Sequence, residues 1–243
     1  MRGPLCAIIV LSVVGLSVSG CVGIRTLRGS GRLAMEQREV SGVTGVELAT
    51  LGKLTVRLGD SEELRMEGDD NLLPAIQTSM SGGMLTIKGR RWITLLPREP
   101  LSFDLTVKTL DAVVLSALGS IELPADLKTA QLSATITGGG KVTLQTVEAD
   151  RLQVSISGLG DLLVNGGQVG EQSVVISGGG NYQAQQLQSD RADIQLSGLG
   201  LATIRVREYL KVAISGGGLV TYIGSPTVEQ SITGIGRLER IED

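Results

Sequence analysis

The feature that most constrains this chain is a short bend that recurs at a nearly fixed step. It reads as an aliphatic residue, a Ser or Thr, and a Gly-rich bend closing on Gly, followed by an alternating strand. The bends are Ser116-Ala117-Leu118-Gly119, Thr137-Gly138-Gly139-Gly140, Ser157-Gly158-Leu159-Gly160, Ser177-Gly178-Gly179-Gly180, Ser197-Gly198-Leu199-Gly200, Ser215-Gly216-Gly217-Gly218 and Thr233-Gly234-Ile235-Gly236. The closing glycines keep a nearly even step from Gly119 to Gly200, and the last two steps, to Gly218 and to Gly236, are slightly shorter. A unit of this length cannot bury its apolar face alone, so it stacks on its neighbours as a solenoid.

The flanking residues specify strands. The slot before each Ser or Thr is Leu115, Ile136, Ile156, Ile176, Leu196, Ile214 or Ile232. Counting back by twos gives Leu132-Ala134-Ile136, Leu152-Val154-Ile156 and Leu210-Val212-Ile214, with mostly polar residues between them. The second slot after each bend is Ile121, Val142, Leu162, Tyr182, Ala202, Val220 or Leu238. This is the period of a strand with one buried face. Aromatics are only 2% of the chain, so Val, Ile, Leu and Ala build the core. Like strands in successive rungs must run parallel, and parallel crossovers are right-handed in ~98% of cases. A left-handed helix builds its rungs from hexapeptides, which suits the last two steps but not the longer ones before them. The expected fold is all-β, a right-handed single-stranded parallel β-helix (β-solenoid) with ~20-residue rungs.

Stacking turns equal slots into ladders. Gly119, Gly140, Gly160, Gly180, Gly200, Gly218 and Gly236 form a corner ladder, where a sharp bend needs φ > 0 or close backbone approach. Ser116, Thr137, Ser157, Ser177, Ser197, Ser215 and Thr233 form a hydroxyl ladder. It is either a binding surface or, as the favoured reading, a set of hydrogen bonds running along the stack and to the corner backbone. The slot before the closing Gly alternates: Leu118, Gly139, Leu159, Gly179, Leu199, Gly217, Ile235. Each large side chain is expected to fill space left by the neighbouring Gly.

The regular rungs span 110–240, and irregular ones reach back from about 109 within a single domain, 33–243. Leu48-Ala49-Thr50-Leu51-Gly52-Lys53-Leu54-Thr55-Val56 aligns without a gap on Leu115 to Leu123, an eighth rung. Gly83-Met84-Leu85-Thr86-Ile87 reads as a ninth. The wide steps between them require insertions that loop out, one holding Asp69-Asp70-Asn71 and the other Trp92 and two prolines.

The N-terminus reads as an address. Leu5 to Val18 is an apolar run too short for a membrane span, and it ends in Val18-Ser19-Gly20-Cys21, which resembles a bacterial lipobox. That resemblance implies a signal peptide over 1–20 and lipidation of Cys21. Removing Arg2 with the signal takes the balance from 22 basic and 25 acidic residues to 21 and 25, a net of −4. Residues 21–32 carry the lipidated Cys and a tether with Arg25, Arg28 and Arg32. Val22 after the Cys, rather than Asp, implies export to the outer membrane by similarity to Gram-negative lipoproteins. Membrane lipid, through Cys21, is thus an expected partner.

Further motifs carry a family resemblance. Gly29-Ser30-Gly31, Glu36-Gln37-Arg38-Glu39-Val40-Ser41-Gly42, Asp69-Asp70-Asn71-Leu72-Leu73-Pro74 and the serial Ser-Gly-x-Gly corners together resemble the head GIN-domain family. Val43, and Leu or Gly in the corner slot, depart from its usual residues. The resemblance implies a β-helical, adhesin-like module; the expected reading is a lipid-anchored, non-enzymatic envelope protein that binds a glycan or an envelope protein.

The residues themselves offer little chemistry. His is absent, and both cysteines, Cys6 and Cys21, precede the body. The common triads and zinc sites are therefore excluded, with no cofactor, metal or catalytic residue assigned. The net charge of −3 gives no footprint for nucleic acid. The alternative function is a carbohydrate-active β-helix enzyme, a polysaccharide lyase or hydrolase. It would need aligned charges, for which Asp150, Glu171 and Asp190, or Arg151 and Arg191, are candidates. Asp69-Asp70-Asn71 offers oxygens to Ca2+, but turn formation explains it more simply. Sugar stacking would want aromatics, and only Tyr182, Tyr209 and Tyr222 lie in the repeats.

Overall fold

The computed structural model describes residues 25–242, and the lipobox with Cys21 lies outside them. The chain is a β-solenoid of stacked parallel coils with rungs of ~20 residues. Among the described residues, no helix is long and apolar enough to cross a membrane.

One rung illustrates how sequence becomes wall. Within strand Val147–Ile156, Leu152, Val154 and Ile156 point inward and are buried. The bend Ser157–Gly160 turns the chain onto strand Asp161–Val164, where Leu162 and Val164 are buried. A second bend leads to Gly167–Ile176, whose first residues close a third face before the strand turns at Gly170 into the next rung. Each strand pairs in parallel with its equivalent one rung on: Leu132 with Leu152, Val154 with Val174, Ile156 with Ile176. Like side chains therefore stack at the ~4.8 Å interstrand spacing. Pairing in these regular rungs is between neighbours, so inward slots stack in columns: Ile136, Ile156 and Ile176 form one, while Leu152 has Leu132 on one side and Gln172 on the other.

The rung shortens by two at one place. Strands Asn181–Leu196 and Leu201–Ile214 pair in register up to Ala184 with Ile204, and the next pair is Gln188 with Arg205. Gln185, Gln186 and Leu187 have no partner there, while Arg207 and Glu208 oppose the single Asp190. Three lost and one gained accounts for the difference. Inside this step lies the polar part of the core. Tyr182 Oη donates to Gln172 Oε1 at 3.0 Å, Gln172 Nε2 donates to Ser189 Oγ at 2.7 Å, and Ser189 Oγ donates to the Arg205 carbonyl at 2.8 Å. Tyr182, Gln172 and Ser189 are all buried. The chain fills the step with a satisfied network, because an unpaired polar group there would cost more than the network gains.

The N-terminal part departs from the expected order. The eighth rung is in place: Gly45–Ala49 lies beside Ala112–Leu115 with Leu48 opposite Leu115, and Lys53–Leu58 lies beside Ser120–Leu123 with Leu54 opposite Ile121. The ninth stacks too, but not between these rungs. Met84–Gly89 pairs with the outer side of Gly45–Ala49, with Leu85 opposite Val46 and Ile87 opposite Leu48. Gly83 thus precedes the first face instead of closing a bend. Ser102–Val107 completes this outer rung on Lys53–Leu58.

The reversal is made by antiparallel pairs: Glu63–Asp69 with Ser102–Val107, Leu33–Glu39 with Glu63–Asp69, and Ile76–Ser81 with Met84–Gly89. The segment around Asp69 does not loop out as expected. Leu72 and Leu73 are buried at the end of the core, which pulls the chain back over the outer rung and caps it. The segment Arg90–Pro100 does loop out, and it forms the short strand Ile93–Leu96.

Candidate functional site: the corner edge and the N-terminal clamp

The corner ladder owes its glycines to close approach and not to φ. Among the described glycines with positive φ, only Gly52 belongs to a closing bend, in the irregular eighth rung. The seven repeat glycines lack it, so of the two alternatives, φ > 0 or close backbone approach, the second holds for them. A Cβ on Gly160, Gly180 or Gly200 would instead lie 2.5, 2.1 and 2.2 Å from the carbonyl oxygen of the equivalent Gly one rung back. The same holds at Gly119, Gly140, Gly218 and Gly236. The sequence reading missed a second ladder at Gly138, Gly158, Gly178, Gly198, Gly216 and Gly234, where a Cβ would meet a backbone carbonyl at 1.8 to 2.1 Å. Its signal was available in the repeated pairing of Ser or Thr with Gly.

The hydroxyl ladder is solvent-facing. Ser116, Thr137, Ser157, Ser177, Ser197, Ser215 and Thr233 are all exposed. Ser116 donates to Glu47 Oε1 at 2.9 Å, and among the described residues no other member of the ladder makes a side-chain hydrogen bond. The expected hydroxyl chain does not form, because a strand spacing of ~4.8 Å exceeds the roughly 2.5–3.0 Å of an O–H···O bond. Backbone bonds hold the corner instead, such as Ser177 N to Ile156 O at 3.0 Å and Gly179 N to Gly158 O at 3.1 Å.

The alternating slot forms an apolar edge. Leu118, Leu159, Leu199 and Ile235 are 80, 75, 75 and 89% exposed. Each large side chain does lie over the neighbouring Gly: a Cβ on Gly139 would be 3.0 Å from Leu118 Cδ2, and one on Gly217 would be 3.0 Å from Leu199 Cδ2. The packing is therefore on the outside of the corner, and the residues remain in water. Alternate rungs set the projections about 9.6 Å apart, twice the strand spacing.

Of the charges expected to align, Arg151 and Arg191 share one column, Asp150 and Asp190 occupy equivalent slots two rungs apart, and Glu171 is out of line with the two aspartates. Glu171 lies opposite Arg151 on one side and Arg191 on the other, one position away from Asp150 and Asp190. Its carboxylate accepts from Arg151 Nη2 at 3.1 Å. The rung between Asp150 and Asp190 presents Gly170, because the register of the rung places Glu171 one slot later. The broad groove there, about 1060 Å³ and open to solvent, is lined by Lys128, Glu148, Asp150 and Asp190, with Lys128 and Glu148 paired at 2.7 Å.

Asp69-Asp70-Asn71 is a clamp on the N-terminal segment. Buried Asp69 accepts from the backbone N–H groups of Gly31 at 2.6 Å, Arg98 at 2.9 Å and Glu99 at 3.1 Å. Burial opposes its charge, but these three bonds and the Arg98 charge hold its carboxyl below the ordinary value of 3.8. Asp70 accepts from Ser30 Oγ at 2.6 Å and pairs with Arg32 at 2.7 Å. Ser30 N donates to Asn71 Oδ1, and Asn71 Nδ2 donates to the Arg28 carbonyl. A Cβ on Gly29 would sit 2.2 Å from Asp69 Oδ2. The oxygens that the sequence offers to Ca2+ are thus occupied in fixing the chain. Among the described residues, no group of three or more acidic, His or Cys side chains is placed to hold a metal.

Comparison with known proteins agrees with this geometry. Solved structures with the same fold include a "putative adhesin" from Bacteroides fragilis, with TM-score 0.83 and 22% identity over 88% of this chain and 100% of that one. A "putative adhesin" from Parabacteroides distasonis has TM-score 0.74 and 20% identity over 89% and 100%. A "putative lipid binding protein" from the same species has TM-score 0.75 and 19% identity over 89% and 100%. No curated protein matches the chain. Residues 42–226 match the family described as "Putative auto-transporter adhesin, head GIN domain". With most of its length inside that match, its corners stacked and its clamp formed, the chain belongs to the head GIN domain family.

Proposed function

We propose that this protein is a lipid-anchored, non-enzymatic binding module of the bacterial envelope, held in the outer membrane through Cys21, which meets a partner protein along its corner edge. The observation that carries the reading is the exposed row Leu118, Leu159, Leu199 and Ile235. Large apolar side chains held in water at a regular pitch mark an interaction edge. The edge has no aromatic on which a sugar ring could stack, which favours a protein partner over a glycan. The enzyme alternative loses support from the displacement of Glu171 and from its pairing with Arg151.

The test has two arms. Mass spectrometry of wild type and Cys21→Ser reads the anchor: lipid mass and membrane fractionation are expected in the first and absent in the second. A photo-crosslinking residue at position 159 or 199, in cells, is expected to capture one envelope protein. Wild-type protein without lipid overturns the anchor. Reproducible polysaccharide turnover that is lost in Asp150→Asn or Asp190→Asn overturns the non-enzymatic reading.

A further inference from the structure

The insertion that replaces the Ser-Gly-x-Gly corner in the outermost rung holds the N-terminal strand. Met84–Gly89 and Ser102–Val107 flank that corner, and between them Ile93–Leu96 pairs in parallel with Arg25–Arg28. The first described residue, Arg25, donates its backbone N–H to the Trp92 carbonyl at 2.9 Å. The chain therefore enters the fold directly beside Trp92. This is the only Trp in the protein. It is 49% exposed and adopts φ 65°, the only positive φ at a described non-glycine residue. A bulky residue held in that region and aimed at water is a mark of function over stability.

The surroundings of Trp92 are basic. Arg91 stacks on its ring at 4.8 Å, Arg25 and Arg90 line one small cleft with Pro74, and Arg28 ends the same strand. Among the described residues, no carboxylate lies within ion-pairing distance of Arg25, Arg28, Arg90 or Arg91, whereas Arg32 nearby is paired with Asp70. This cluster stands out in a chain whose overall charge is −3.

We propose that Trp92 and the arginines around it form a membrane-docking tip for an anionic bilayer. The proposal rests on the anchor reading above for its distance argument. Cys21 precedes Arg25 by four residues, and four residues reach at most about 14 Å when fully extended. A lipid on Cys21 thus keeps the tip within a side-chain length or two of the headgroups. Trp places its ring at the interface between water and acyl chains, and clustered Arg attracts anionic headgroups. Leu96, 46% exposed on the same insertion, adds apolar area. The corner edge runs away from this tip along the stack, so docking leaves Leu118 to Ile235 available to a partner.

The sole Trp makes the proposal directly readable. The full chain, purified with its lipid, is reconstituted in vesicles of phosphatidylcholine alone or of phosphatidylcholine with phosphatidylglycerol. The expected result is a blue-shifted Trp92 emission in the anionic vesicles, quenched by acyl-brominated lipid and shielded from acrylamide. Arg90→Gln with Arg91→Gln should remove most of the difference between the two vesicle types, and added salt should weaken it in wild type. Lipidated protein whose Trp92 remains equally open to acrylamide in both vesicles overturns the tip and leaves the anchor standing. Protein without lipid mass that still sediments with the anionic vesicles supports the tip and overturns the anchor.

Discussion

The α-carbon of Gly180 faces the carbonyl oxygen of Gly160 so closely that a Cβ would lie 2.1 Å from it. The contact is between two backbones, so no side-chain rotation can relieve it. Gly180→Ala should therefore destabilise the protein by about 1–3 kcal/mol, the usual range for overpacking, and Gly180→Val by more. Ser177→Ala is the control: its hydroxyl is exposed, and the change should stay within about 0.5 kcal/mol. Chemical denaturation of both variants checks this. Equal stability of Gly180→Val and wild type would contradict the stacked register.

Asp69 makes the N-terminal clamp sensitive to acid. Its folded-state pKa lies below the ordinary 3.8, with burial opposed by the bonds from Gly31, Arg98 and Glu99. A depressed carboxyl pKa stabilises the fold fully above the unfolded value, and that contribution is lost as pH falls through the folded value. Wild type should thus lose stability below about pH 4, and Asp69→Asn should show a lower melting temperature at neutral pH with a flatter acid limb. Melting curves from acid to neutral pH test it. Parallel curves for the two proteins would remove Asp69 from the clamp.

The buried network at the rung-shortening step should respond to loss of a single hydroxyl. Burial pushes the Tyr182 phenol far up, so it stays neutral and donates to Gln172. Tyr182→Phe keeps the ring and leaves Gln172 Oε1 without its donor, at a cost of about 1–3 kcal/mol. Urea unfolding reads the loss. A variant as stable as wild type would show that Gln172 finds another partner.

The corner edge should be dispensable for folding. Leu159→Ser with Leu199→Ser removes apolar atoms that are already in water, so stability should stay within about 0.5 kcal/mol. Crosslinking to the partner from another position on the edge should fall at least several-fold. Full retention of capture, with the fold intact, would move the interaction to another face.

Sequence alone determined the repeat, the inward slots and the pairing of Leu48 with Leu115, because a strand has a period of two and stacked rungs must place like on like. It also determined that Gly was needed at the corners. Only the tertiary structure decided why: the constraint is a carbonyl in the adjacent rung, and no local dihedral preference encodes that. The same distinction explains the hydroxyl ladder, whose members are equivalent in sequence but too far apart in space to bond. It explains the ninth rung, which is next in sequence but outermost in the stack, because antiparallel pairing and burial of Leu72 and Leu73 turn the chain back. It also explains Asp69, whose partners Gly31, Arg98 and Glu99 all lie far from it along the chain. Periodicity reports which way a residue faces. What it faces depends on which rung the chain lays against it, and that was settled only when the whole solenoid was stacked.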